Sequence, residues 1–415
     1  MATLVCSNRA TIGTAALATI LLTTFAGGCN GEFPLPPIPA TWPRHTISAA
    51  YHGADGVKLG DINGNGLMDL AAAWEESGVV TVHLNPGPAH ARQPWPSVVV
   101  GRVADVEDAV FVDVNNNGRL DVVSCCEGST RRMYVHWAPL DDADLLNPAA
   151  WTTEVIPTTV GVQQWMFCMP AQLHDSGVQL IAGGKGSGAS IGYLSAQGDP
   201  RNLANWTWTP LADATWIMSI IPADVNGDGD LDIVYTDRKG ADRGAYWLEN
   251  PLIGDGLPLW RKHRIGATND EAMFMDLGDL DGDGHLDAFV ATSGRAVIHY
   301  RPVGNPRLPW SAAPITWPNT FGTGKAVRIA DLTGDGSMEL VFNCENAGGG
   351  RVGIGRLTQL TTEPISMWTA TPLADTAGRK FDVLQLLDVS GNGYLDVITT
   401  EESANLGVVW YENPG

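Results

Sequence analysis

The residues with the most chemical content lie in one stretch of nine, Asp224-Val225-Asn226-Gly227-Asp228-Gly229-Asp230-Leu231-Asp232. Oxygen-bearing side chains stand at its first, third, fifth and ninth positions: Asp224, Asn226, Asp228 and Asp232. The carbonyl of the seventh residue, Asp230, can add a further oxygen. Gly229 at the sixth lets the chain turn sharply enough to bring these donors onto one centre. An all-oxygen, partly anionic donor set selects a hard divalent cation, and the stretch reads as a calcium loop.

The same arrangement recurs five more times. The donor positions are Asp61, Asn63, Asn65 and Asp69 in the first copy, and Asp113, Asn115, Asn117 and Asp121 in the second. They are Asp279, Asp281, Asp283 and Asp287 further on, then Asp331, Thr333, Asp335 and Glu339, then Asp388, Ser390, Asn392 and Asp396. A seventh copy falls at 172–180, where Gln172, His174, Ser176 and Leu180 occupy the donor positions and only Gly177 survives. Six Ca²⁺ sites and one empty loop are expected. None of the six loops has Glu at its twelfth position, so these are not EF-hands, which need that bidentate ligand and two flanking helices.

Other chemistry is thinner. His83, His136 and His299 share one repeat position, where other copies carry Trp247 and Trp410, and so read as packing residues. His45 and His263 share a Trp-x-x-His position. His52 alone falls where a catalytic base would be expected, and no catalytic set is assigned. Segments between the repeats bring Tyr51, His52, Trp165, Trp216 and Trp317 toward the end opposite the loops, with Glu75, Glu76, Glu127, Glu345, Glu402, Arg379 and Lys380 in neighbouring connections. Aromatic rings beside carboxylates and amides suit sugar recognition. The competing reading is that the Trp residues plug blade ends while the charges are solvated.

The elements that position these residues follow from the repeat. The first loop begins at residue 61 and the last at 388, a mean spacing of about 54.5 residues over six intervals, which suits a four-stranded β-blade. Each repeat opens on a Trp with an aliphatic residue five positions on (Trp42/Ile47, Trp95/Val100, Trp151/Ile156, Trp206/Leu211, Trp260/Ile265, Trp310/Ile315, Trp368/Leu373). A strand precedes each loop, a second follows it, and a third ends in Asn-Pro or a related pair, as in Val82-His83-Leu84-Asn85-Pro86. In the first strand, residues four and two before the loop are apolar and should pack between blades. Residues three before it (Lys58, Val110, Met169, Ile221, Asp276, Arg328, Gln385) should line a central channel. The chain stops just after a third strand and begins with a lone Trp-type segment, so the N-terminal strand should complete the last blade and close the ring. The expectation is all-β: a seven-bladed β-propeller over residues 42–415.

The formal charge of −21 argues against nucleic acid, whose phosphates want a basic face. Six Ca²⁺ would bring it to about −9. Residues 1–28 read as a signal peptide, with Arg9 ahead of an uncharged run from Ile12 to Gly28, too short to suit a spanning helix. Ala26-Gly27-Gly28-Cys29 resembles a bacterial lipobox with Cys29 as the lipidated residue; the alternative is an ordinary cleaved signal peptide and an incidental Cys. A Pro-rich tether, 29–41, follows. Both readings export the protein, either as an outer-membrane or cell-surface lipoprotein touching the membrane only through its lipid, or to the periplasm or medium. Cys125, Cys126, Cys168 and Cys344 remain; a pairing of Cys168 with Cys125 or Cys126 is open, beside the reading of buried free thiols.

The six D-x-x-G-x-G-x-x-D-type loops resemble the FG-GAP/VCBS family, calcium-loop propeller repeats also seen in integrin α-chains. The resemblance spans residues 42–415 and implies a seven-bladed propeller with calcium between first and second strands. Relatives act as adhesion modules, lectins and, less often, polysaccharide lyases or sugar dehydratases, so the fold does not choose among them. The first expectation is a monomeric, calcium-stabilised, non-catalytic extracellular module that binds a glycan or a surface protein. A carbohydrate-active enzyme using His52, Lys58, Asp276 and Arg328, and a structural role at the cell surface, are the alternatives.

Overall fold

The computed structural model describes residues 41–174, 177–251, 259–266, 268–361 and 367–415. The expected signal segment, Cys29, all of the tether but its last residue, and Ser176 of the seventh loop lie outside the described residues. Apart from four three-residue 3₁₀ turns, every described element is a strand, and these form seven four-stranded antiparallel sheets. The molecule is a seven-bladed β-propeller. In the first blade the order is Ala54–Gly60, Asp69–Trp74, Val79–His83, Ser97–Arg102, from the channel outward.

Closure follows the sequence reading. Arg44–Ser48 is the outer strand of the seventh blade and pairs antiparallel with Gly407–Tyr411, setting Arg44 opposite Tyr411 and His45 opposite Trp410. A strand from each terminus therefore leaves no open edge between first and last blades.

The alternation in the inner strands sets the core. The residues four before each loop (Val57, Ala109, Cys168, Ile220, Met275, Val327, Leu384) are all buried. The Val, Ile, Met and Leu side chains among them each contribute on the order of 1.5–3 kcal/mol on leaving water. Of the residues three before each loop, Lys58, Met169, Ile221, Asp276 and Arg328 line a central cavity of about 260 Å³. Val110 departs from the expectation: it is buried in a cluster with Cys125 and Cys168.

The repeat-opening Trp anchors the connection before the outer strand in four blades. The indole Nε1 of Trp95 donates to the Ala91 carbonyl, Trp151 to Leu145, Trp206 to Pro200 and Trp310 to Pro306. Blades also interlock through small residues. A Cβ on Gly101 would come 2.1 Å from Cε1 of His136, so the outer strand of blade 1 accepts the imidazole of blade 2 only because it has glycine there.

Every inner strand carries a register break against its neighbour, at Ala54/Val57 in blade 1 and Phe381/Leu384 in blade 7, for example. The breaks fall five to six residues before the loops, toward the far end of the channel. A bulge re-aims side chains and reverses the inside–outside parity beyond it.

Candidate functional site

At one end of the channel stand the loops. In all six the first carboxylate caps the turn: Asp61 accepts from the backbone N–H of Asn65 and Gly66, Asp224 from Asp228 and Gly229, and Asp388 from Asn392 and Gly393. Asp113, Asp279 and Asp331 do the same. The sixth-position glycines all have positive φ, from 83° at Gly118 to 94° at Gly229, a conformation costly for any residue with a Cβ.

The ninth-position carboxylates begin the second strands and are buried. Asp69 takes the N–H of Ile62 within its loop and the N–H of Asn85 in the Asn-Pro run, 3.1 and 2.7 Å away. Asp232 with Asn250 and Asp396 with Asn413 repeat this. The Asn side chain then reaches the neighbouring blade: Asn250 donates to the Leu173 carbonyl and Asn413 to that of Leu332. The recurrent Asn-Pro is thus the splice between one blade's loop and the next. Burial holds the carboxyls of Asp69 and Asp121 up at about 6 and that of Asp232 at about 7.

These loops fit a calcium ion by their donors. One oxygen each from Asp279, Asp281 and Asp283 lie within 4.8 Å of one another. Buried oxygens of Asp121, Asp228 and Asp287 have no hydrogen-bond partner. Ligands 2.3–2.6 Å from one ion can be no farther apart than about 5 Å, so the spacing in the Asp279 loop admits Ca²⁺.

The seventh loop is built differently, and the structure shifts its alignment by one residue. Gln179, not Leu180, begins the second strand opposite Ala171, as Asp69 does opposite Gly60. Its Oε1 accepts the Leu173 N–H at 2.6 Å, the bond the ninth carboxylate makes elsewhere, and its Nε2 donates to the Gly177 carbonyl. Leu180 is a buried core residue. A neutral amide that returns its own N–H to the loop closes the turn without a cation. The one-residue shortening hid Gln179 from a count by fixed spacing.

At the opposite end the expected ligand residues separate into two groups. Trp165 is fully buried, donates Nε1 to the Thr159 carbonyl and meets Trp208 edge-on at 4.9 Å. Trp317 is buried too, bonded to the Gly322 carbonyl and stacked on Phe342 at 4.2 Å. Tyr51, His52 and Trp216 keep exposed surface. Lys185 lies over the Trp216 ring at 4.5 Å and Arg238 at 5.1 Å. His52 Nδ1 is 2.9 Å from Asn405 Oδ1. His52, Lys58, Asp276 and Arg328 do not assemble: the last three line the channel, Asp276 paired with Arg328 at 3.7 Å, whereas His52 is outside it.

Several charged residues of this face were expected from the sequence, but not the two groups they form. Between blades 6 and 7, Glu345, Asn346, Arg351, Arg379 and Lys380 line an open pocket of about 550 Å³. Across blades 7, 1 and 2 runs a band of carboxylates. Asp55, Glu107 and Asp382 stand six residues before their loops, where the other blades have Met166, Met218, Met273 and Lys325. Strict alternation would turn these acids between blades, but the bulge ends that alternation, and Asp55 meets Asp382 and Glu402 on one side and Glu75 and Glu76 on the other. Glu75 continues the band to Glu107 and Glu127. Lys325 pairs with Asp382 at 2.7 Å, Lys380 with Glu402, and Lys185 with Glu127. Burial, reinforced by Glu127, lifts the Glu75 carboxyl to about 7 and that of Glu107 to about 8.

The FG-GAP-like repeat family matches residues 61–124 and 245–342, which contain the loops that begin at Asp61, Asp113, Asp279 and Asp331. No curated protein matches the chain. Among solved structures it is similar to BBS1N in complex with ARL6DN, in crystals soaked with mercury and with lead. The TM-scores are 0.54 and 0.53, at 11% and 12% identity, over 90% of this chain and 97% of theirs. At that identity the likeness is one of fold. The repeats and the propeller fold do not by themselves choose a role for this chain.

Proposed function

We propose that this protein is a calcium-stabilised, non-catalytic binding module that takes a glycan or a surface protein on the face opposite its loops. The observation that carries the reading is the pocket between blades 6 and 7, where Arg351, Arg379 and Lys380 face Glu345 and Asn346 around about 550 Å³. That volume admits one or two sugar units, and guanidinium and amide groups can bind hydroxyls and a sugar carboxylate from several sides. Trp216, with Lys185 and Arg238 over its ring, presents its partly exposed edge on the same face. Calcium in the six loops supports the face from behind by fixing the ends of the inner strands. The N-terminal segment exports the protein and Cys29 tethers it as a monomer to the cell surface.

The test is retention of the calcium-loaded protein on a panel of neutral and acidic extracellular polysaccharides, with product formation scored together. Retention that R379A/R351A abolishes, without new chain ends, is the expected result. Cleavage or an unsaturated sugar would overturn the non-catalytic reading. Retention of no glycan would move the search to a protein on the same cell surface.

A further inference from the structure

The carboxylate band at the channel mouth holds more negative charge than its lysines offset, and one part has no lysine of its own. Asp55 is 7% exposed and its Oδ2 has no hydrogen-bond partner. Its nearest cation, Lys380, stands 4.0 Å from the other oxygen and is engaged by Glu402. One oxygen from each of Asp55, Glu75 and Glu76 lies within 4.8 Å of the other two. Glu76 is seated by its surroundings: a Cβ on Gly53 would fall 1.0 Å from Glu76 Oε2, so the carboxylate occupies the space that glycine leaves open. Leaving a buried carboxylate oxygen without a donor costs several kcal/mol unless a proton or a cation meets it.

We propose that Asp55, Glu75 and Glu76 form a further divalent-cation site, of the Ca²⁺ class, at the end of the propeller opposite the six loops. The chemistry is that of a hard ion: three carboxylate oxygens close enough to share one cation at 2.3–2.6 Å, with water completing its shell. The ligands come from both sides of one strand pair, Asp55 on the inner strand and Glu75 and Glu76 just after the second. Their geometry owes nothing to the nine-residue loop. An ion there would tie blade 1 to the Asp382–Glu402 wall of blade 7 through the shared Asp55.

The experiment uses the full chain, stripped of metal and dialysed against Ca²⁺, with bound metal counted by mass spectrometry. D55N/E75Q/E76Q should hold one Ca²⁺ per chain fewer than the parent protein. D279N, in a loop, should independently lose one, and the combination two. The same metal content in the triple variant and the parent would overturn the proposal. If the loops took no calcium, D279N would leave the count unchanged while the triple variant still lost one, so the two readings fail separately. The single variant E76Q, at an exposed side chain, guards against misfolding. It should weaken one Tb³⁺-binding step at least about tenfold; an unaltered titration would also sink the site.

Discussion

His45 Nε2 lies 2.8 Å from Glu412 Oε2, joining residues 367 positions apart in the chain. The imidazole lies tilted against Trp410, its partner across the closing strand pair, with ring centroids 4.5 Å apart. Arg92, from the neighbouring blade, donates to the same carboxylate at 3.0 Å. Blade 4 repeats the group with Trp247, His263, Glu249 and Arg307. The quartet is thus a blade-to-blade clamp that the seventh blade applies to the closure itself. E412A should cost about 1–3 kcal/mol in urea unfolding and speed amide exchange in 44–48 and 407–411 but not in blade 4. The Arg92 hydrogen bond holds the Glu412 carboxyl below its ordinary value, so its stabilisation is complete above about pH 4.5 and lost as pH falls through the lower folded value. E412Q should remove that acid dependence.

Metal removal gives a second outcome. Ions that bind only the folded loops add RT ln(1 + [Ca²⁺]/Kd) each, about 2.7 kcal/mol at a hundredfold excess over Kd. Excess EDTA should lower the melting temperature by more than about 5 °C, restored by Ca²⁺. Melting that ignores EDTA would contradict the six-site reading.

The two classes of tryptophan should part cleanly. W165A removes a fully buried indole and should cost about 3–5 kcal/mol. W216A removes a partly exposed ring and should leave most of the stability while reducing polysaccharide retention. Equal retention by W216A and the parent protein would take Trp216 out of the ligand face.

Buried histidines predict a pH dependence of their own. Burial pushes His83 down to about 4 and His136 to about 3, from an ordinary 6.5. The unfolded chain therefore takes up protons first. Stability should be fully present above pH 6.5 and fall as pH drops toward 4, by on the order of 3 kcal/mol per histidine. Unfolding free energies of H83N/H136N, measured from pH 7 to pH 5, should show a flatter decline than those of the parent.

The cysteines answer a question that spacing left open. Cys125, Cys126, Cys168 and Cys344 are free and buried. Burial pushes the Cys126 thiol up to about 12 and raises those of Cys125 and Cys344 as well. Native protein should leave these four thiols unreactive to a thiol reagent, and denaturant should release all four. Fast labelling before unfolding would show that this core opens.

What the sequence by itself determined is what repeats. Six loops at a near-constant period, a Trp ahead of each blade and a lone strand at the start dictate seven sheets and the way they close. A repeated unit places equivalent residues equivalently, so one blade's alternation predicts the others. The histidine positions and the Asn-Pro runs were legible on the same ground. Tertiary structure alone decided what breaks the repeat. The bulge in each inner strand ended the alternation that would have sent Asp55, Glu107 and Asp382 between blades, and so gathered them with Glu75, Glu76 and Glu402. The missing residue in the seventh loop moved Gln179 into the ninth position, and the packing of neighbouring blades buried Trp165 and Trp317 while leaving Trp216 partly exposed. Period fixes which residues are equivalent; only the folded chain shows which of them touch, because contact across blades depends on local register and on the side chains next door.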